Sequence, residues 1–194
     1  SLPVNIKWGT TLLKNWLKRT PELIPLVIGG RRIVEDVGRG NGFDPSSPNS
    51  VCYQYALAGE KHIEIALKTA AEVFVKWSQR PLRERLLLIE EVVHGLRCRR
   101  GDLIGAMVLD TGKTVTEADH EVSEAIDFAA YYRRSLEEMH LIEDIRWEAK
   151  GPVLVVPPWN FPCSIPVGGI IAALVAGNPV IFKPAPEFAL VGWL

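Results

Sequence analysis

With 194 residues, 47% hydrophobic and 23% charged, the chain has ordinary globular composition and enough length for one sizeable core, which argues against a disordered polypeptide. A formal net charge of −1 gives no electrostatic footprint for nucleic acid. Cys52, Cys98 and Cys163 form an odd set without CxxC spacing, so neither a disulfide framework nor a zinc site is indicated, and a reducing compartment fits best.

The first residue is Ser1 rather than Met, which reads as residues missing at that end or a tag removed; no leader peptide is legible from Ser1 onward, and a truncation would hide one. Leu2 to Arg19 mixes tryptophan, leucine and lysine in the pattern of an amphipathic helix ending before Thr20-Pro21. Leu26-Val27-Ile28 and Arg31-Arg32-Ile33-Val34 flank Gly29-Gly30, the signature of a tight β-hairpin whose turn needs positive φ. Gly38 to Ser50, rich in glycine, proline, serine and asparagine, reads as a connection. Its Gly38-Arg39-Gly40-Asn41-Gly42 stretch lacks the following helix start that a phosphate-binding loop requires.

Three helices should follow, marked by Ile63, Ala66, Ala70, Phe74 and Trp77, by Leu82, Leu86, Ile89, Val93 and Leu96, and by Val122, Ala125, Ala129, Tyr132 and Leu136. Each stripe is most simply a core face. A shorter helix is expected at Asp102 to Leu109, ended by Asp110-Thr111-Gly112. The basic run Arg97-Cys98-Arg99-Arg100 reads as a solvated helix end, where the helix dipole favours cations. His62, His94, His120 and His140 are scattered without metal-ligand spacing.

Gly151 to Lys183 is a compact strand-turn-helix-strand unit. Val153 to Val156 is a β-branched apolar run, Pro157 to Pro162 breaks it, Ser164 to Ala176 is apolar nearly all round, and Val180 to Phe182 resumes strand-forming residues. This predicts a parallel βαβ crossover in a sheet covered on both faces. The apolar stretch Ile165 to Ala176 is too short to span a bilayer.

Two motifs bracket that helix: Pro158-Trp159-Asn160-Phe161-Pro162, and Gly177-Asn178-Pro179-Val180-Ile181-Phe182-Lys183-Pro184. In order and spacing they resemble the aldehyde dehydrogenase superfamily, and a weaker resemblance reaches back through Gly59 to Met139. It implies an α/β fold with a Rossmann-like parallel sheet of the aldehyde dehydrogenase type, preceded by a helical region. Residues 1–50 would hold the N-terminal helix, hairpin and loop, and residues 51–194 the helical region and first part of the NAD-binding domain. The family's nucleophilic cysteine, general-base glutamate and pyrophosphate turn lie downstream of the Lys-Pro strand, so the chain is expected to be an N-terminal piece that is inactive alone. Cys163, buried by its place at the start of the apolar helix, is not the expected nucleophile. The helix carries Gly168-Gly169 but no GxGxxG fingerprint, which the resembled family lacks too.

For the site, the resemblance implies that the Asn160 amide donates to the oxygen that gains negative charge when a nucleophile adds to an aldehyde. From composition alone, Asn160 reads first as an asparagine that bonds its own loop, and it is the motif around it that turns the reading to the oxyanion role. Pro157, Pro158 and Trp159 would floor the cofactor cleft, with Lys183, Pro184 and Ala185 beside the adenosine ribose at the carboxyl edge of the sheet. Many relatives carry glutamate three residues after the lysine, where this chain has Pro186 and then Glu187. The cofactor expected is NAD, with NADP left open; FAD would enter only if a proline dehydrogenase domain is fused upstream.

Lys183-Pro184-Ala185-Pro186-Glu187 and Glu121-Val122-Ser123-Glu124-Ala125-Ile126-Asp127-Phe128 look most like the Δ1-pyrroline-5-carboxylate dehydrogenase branch, including the bifunctional proline-utilisation proteins. That implies oxidation of glutamate semialdehyde to glutamate in proline catabolism, with Glu124 either approaching the substrate ammonium or standing as a helix-surface carboxylate. The partners implied are a small-molecule aldehyde and further copies of the chain in a homo-oligomer, with neither nucleic acid nor a membrane span. The location implied is cytoplasmic, or the mitochondrial matrix in a eukaryote. Another aldehyde substrate, or a noncatalytic structural or oligomerisation module of the same fold, are the alternatives.

Overall fold

The computed structural model describes residues 2–19 and 23–194, and the helix expected to run to Arg19 ends at Trp16. Helix α1 (Pro3–Trp16) opens on a proline, which suits the first helical turn because its missing N–H has no partner there anyway. Trp16 is buried against α4 (Arg100–Thr111) at Gly105, where an added Cβ would lie 2.2 Å from the indole. The Arg19 guanidinium covers the Trp16 ring at 3.9 Å.

Strands β1 (Leu23–Ile24), β2 (Leu26–Ile28) and β3 (Arg31–Ile33) come next, with β2 and β3 antiparallel about Gly29 and Gly30, whose φ values of 56° and 78° supply the expected turn. The stretch read as a connection is instead paired structure. Strands β4 (Gly38–Asp44) and β5 (Ser47–Leu57) form a long antiparallel hairpin, and β1 adds to β5 in parallel. Its glycines are seats for aromatic rings rather than turn formers. Gly40 and Gly42 pair with Tyr55 and Tyr53, and a Cβ at either glycine would fall 2.2 Å and 2.0 Å from those rings. The true turn is local, with Asp44 Oδ1 accepting from Ser46 N–H at 2.8 Å and Ser46 Oγ–H at 2.6 Å.

Helices α2 (Glu60–Ser78), α3 (Leu82–Cys98), α4 and α5 (Val115–Met139) follow. Helix α5 starts at a reciprocal cap: Glu117 N–H donates to Thr114 Oγ1 at 3.2 Å, and Thr114 N–H to Glu117 Oε2 at 2.9 Å. The core centres on α4 and α5, where Ile104, Ala106, Met107, Ala118, Val122 and Ala125 are fully buried with Phe188. The α3 and α5 stripes face inward as expected. On α2 only Ala70 is buried, and Ile63 is half exposed beside an outward row of Ile65, Leu67, Val73 and Val75. Arg97, Cys98 and Arg99 are exposed at the end of α3 as expected, but Arg100 begins α4 and bonds Asp119 Oδ1 at 2.6 Å and Ser123 Oγ at 2.7 Å, fastening α4 to α5.

The βαβ unit consists of β6 (Val153–Val155), α6 (Ser164–Val175) and β7 (Val180–Phe182), with Val153, Leu154 and Val155 paired in parallel to Val180, Ile181 and Phe182. Helix α6 covers one face of this pair, bringing Gly169 against Val155. On the other face α2 approaches β7, whose residues are half-buried, while Leu154 of β6 is 63% exposed. A short 3-10 turn (Pro186–Phe188) and α7 (Ala189–Trp193) complete the described structure. Among the described residues no helix is long and apolar enough to cross a membrane.

Candidate active site at the edge of the parallel pair

Both sequence motifs emerge at the same carboxyl edge. The register that ends at Val155 and Phe182 is prolonged by Lys183 N–H donating to the Val155 carbonyl at 3.0 Å, so the chain leaves β6 toward the arch where Lys183 leaves β7. An open α/β sheet presents its ligand site at this edge. Pro157 is buried; Pro158, Trp159, Asn160 and Phe161 are exposed; Pro162 and Cys163 are buried again. The turn is thus an exposed arch between two buried feet. No side-chain hydrogen bond among the described residues involves the Asn160 amide. Lys183 is exposed, while Pro184 and Ala185 are half-buried, with Pro184 packed beneath Gly192 of α7.

The second foot is held by a residue that sequence reasoning missed. Glu121 of α5 is 3% exposed, and its Oε1 accepts from Cys163 N–H at 2.7 Å and Ser164 N–H at 3.1 Å. Helix α6 has no side-chain cap of its own and no acidic residue in its first turn, so Glu121 supplies the acceptor and the negative charge that a helix N-terminus favours. Lys113 Nζ lies 3.0 Å from Glu121 Oε2 and 4.5 Å from the centre of the Phe161 ring, so one ammonium touches both the carboxylate and the arch. The available signal was position. Glu121 lies three residues after Ala118 and four before Ala125, on the apolar stripe of α5.

The far end of α6 is held in the opposite sense. Buried Arg85 donates from Nε to the Val175 carbonyl at 3.0 Å and from Nη1 to the Arg80 carbonyl at 2.6 Å, and Trp77 Nε1 donates to the Leu174 carbonyl at 3.1 Å. Burial lowers the guanidinium's pKa. Asn178 Oδ1 accepts from Lys150 N–H at 2.7 Å and Gly151 N–H at 3.0 Å, tying the start of β6 to the turn before β7.

Cys163, at the mouth of α6, is 3% exposed. Burial, with the Glu121 charge behind it, pushes its thiol up to about 12, the opposite of what a nucleophile needs. Glu124 is exposed one helical turn beyond Glu121, on the helix that carries the arch's support. Among the described residues no group of three or more histidine, cysteine, aspartate or glutamate side chains is placed to hold a metal ion.

A parallel strand-helix-strand edge carrying an exposed arch and a strand-end lysine is an open α/β scaffold, and the chain has marked relatives. Residues 35–194 match the aldehyde dehydrogenase family, and the chain belongs to that family. The 1-pyrroline-5-carboxylate dehydrogenase of Oceanobacillus iheyensis is 31% identical over 179 residues, covering 87% of this chain and 35% of that protein. The protein of the same name from Staphylococcus aureus is 29% identical, covering 100% of this chain and 39% of its own length. The solved 1-pyrroline-5-carboxylate dehydrogenase from Thermus with bound NAD superposes with a TM-score of 0.93 at 29% identity, over 100% of this chain and 39% of that one. Proline utilization A from Bdellovibrio bacteriovorus also gives 0.93, at 27% identity, over 99% of this chain and 21% of that one. The fold is therefore the α/β fold of the aldehyde dehydrogenases, and the chain spans little more than a third of the length of the curated relatives it matches.

Proposed function

We propose that the chain is the N-terminal, cofactor-binding part of an NAD-dependent aldehyde dehydrogenase that oxidises glutamate semialdehyde, the open form of pyrroline-5-carboxylate, to glutamate. The observation that carries this reading is the shared edge of β6 and β7, from which the arch bearing Asn160 and the strand end bearing Lys183 both leave, in a chain of this family. Residues 1–50 and 51–194 are the divisions of this reading, although β5 runs unbroken across residue 50.

The donor set at the edge fits a dinucleotide. In this reading Lys183, which is exposed, offers its ammonium to ribose hydroxyls next to half-buried Pro184 and Ala185, and Pro157, Pro158 and Trp159, the last 54% exposed, are assigned the floor of the cofactor cleft. NAD, when bound, supplies the hydride acceptor. NAD is favoured over NADP because no second cation for a ribose phosphate stands next to Lys183 in the sequence. Asn160 donates its amide N–H to the aldehyde oxygen as a nucleophile adds to the carbon. A neutral amide suits this task because it stabilises the oxyanion without quenching it by proton transfer. Glu124 receives the substrate ammonium. Cytoplasmic location and assembly into a homo-oligomer belong to the same reading.

The test uses the complete protein that contains this chain. Purified enzyme should reduce NAD with glutamate semialdehyde at a higher kcat/KM than with a short aliphatic aldehyde. Glu124→Ala should raise KM for the semialdehyde about tenfold or more while leaving KM for the aliphatic aldehyde within about twofold, the signature of a lost substrate-binding contact. Equal effects on both aldehydes would remove Glu124 from the site. No turnover of any aldehyde would favour the noncatalytic module.

A further inference from the structure

The arch that carries Asn160 is exposed from Pro158 to Phe161, so its shape depends on where its feet stand. The upstream foot is the β6 ladder. The downstream foot is a hydrogen bond from a residue 42 positions away, since Cys163 N–H and Ser164 N–H both donate to the buried Glu121 carboxylate. Lys113 then contacts that carboxylate at 3.0 Å and the Phe161 ring at 4.5 Å, so the same pair grips the chain at the residue directly after Asn160 and again two residues later. The first turn of α6 has no alternative acceptor of its own, because its N-cap is Cys163 and makes no side-chain cap bond.

We infer that Glu121, clamped by Lys113, is a positioning residue for Asn160: it sets the placement of the amide by fixing the downstream foot of the arch. This rests on the oxyanion role proposed for Asn160. The need for a carboxylate follows from its two sides. One oxygen must accept two amide N–H groups, and the other faces an ammonium that can only donate. Glutamine at this position keeps the first acceptor but turns an NH2 group toward Lys113, setting donor against donor. The arch would then move away from Lys113 or the amides would lose their acceptor. Displacing a catalytic group by about 1 Å can cost on the order of a hundredfold in rate.

The test is a double-mutant cycle in the complete enzyme, read as kcat and KM for the aldehyde. Asn160→Ala should lower kcat roughly a hundred- to a thousandfold. Glu121→Gln should lower kcat roughly ten- to a hundredfold with KM changed by less than about threefold. In the Asn160→Ala background the same Glu121→Gln change should lower kcat by less than about threefold further, because the group it positions is gone. A full, undiminished effect of Glu121→Gln in that background overturns the inference while leaving the Asn160 reading intact. An unchanged kcat for Asn160→Ala alone instead overturns the Asn160 reading, and the inference with it. If Glu121→Gln does not yield folded protein, Lys113→Met, which leaves the carboxylate and both amide bonds in place, enters the same cycle with the same criterion.

Discussion

Two buried carboxylates in this chain perform the same local task with different third partners. Asp110 on α4 accepts from Leu190 N–H at 3.0 Å and Val191 N–H at 3.1 Å at the start of α7, and Glu121 on α5 accepts from Cys163 and Ser164 at the start of α6. Asp110 completes its shell with the Tyr53 hydroxyl, Glu121 with the Lys113 ammonium. A phenol can donate or accept, whereas an ammonium only donates. The first support therefore tolerates a change of charge that the second does not, and the second is the one beneath the Asn160 arch.

The sharpest way to break this comparison is to replace each acid by its amide. Glu121→Gln should destabilise the fold by about 3 kcal/mol or more, because it leaves a largely buried ammonium without its counter-charge. Asp110→Asn should cost only about 1 kcal/mol, since its NH2 can donate to the Tyr53 oxygen once the hydroxyl turns. Thermal midpoints of the two variants of the complete enzyme measure this. Equal losses would mean that the partner's chemistry does not matter.

A smaller effect sharpens the same contrast through pH. Burial pushes the Asp110 carboxyl up to about 7, against hydrogen bonds from Tyr53, Val191 and Leu190 that pull it down, and burial followed by the Asp110 charge raises the Tyr53 phenol. With the folded pKa above the unfolded one, the folded chain holds a proton that the unfolded chain releases. The associated stability is fully present below about pH 4 and is lost as pH rises toward about 7. The Asp110→Asn variant should lose this decline, so its thermal midpoint should fall less than that of the wild type between about pH 4 and about pH 7. Parallel curves would show that Asp110 titrates alike in the folded and unfolded states.

What the sequence disclosed follows the range of the interactions. The Gly29-Gly30 hairpin and the Gly151 to Lys183 crossover are written in neighbouring residues, because positive φ, proline breaks and apolar runs act locally. Gly38 to Ser50 read as a loop because glycine usually marks a turn. Here Gly40 and Gly42 make room for tyrosines on a strand that returns more than ten residues later. The support of α6 was hidden for the same reason. Glu121 and Arg85 act over 42 and 90 residues, and in sequence they are two charges among many on helices. The arch could be read from its motif, but its foundation needed the fold.

The central claim is that this edge, in the complete protein, stabilises an oxyanion during aldehyde oxidation. The most direct measurement is kcat for NAD-dependent oxidation of glutamate semialdehyde by the complete enzyme and its Asn160→Ala variant, with thermal midpoints confirming that both are folded. The account predicts a loss of roughly a hundred- to a thousandfold in kcat with an unchanged midpoint. A folded Asn160→Ala enzyme that turns over at the wild-type rate would contradict it.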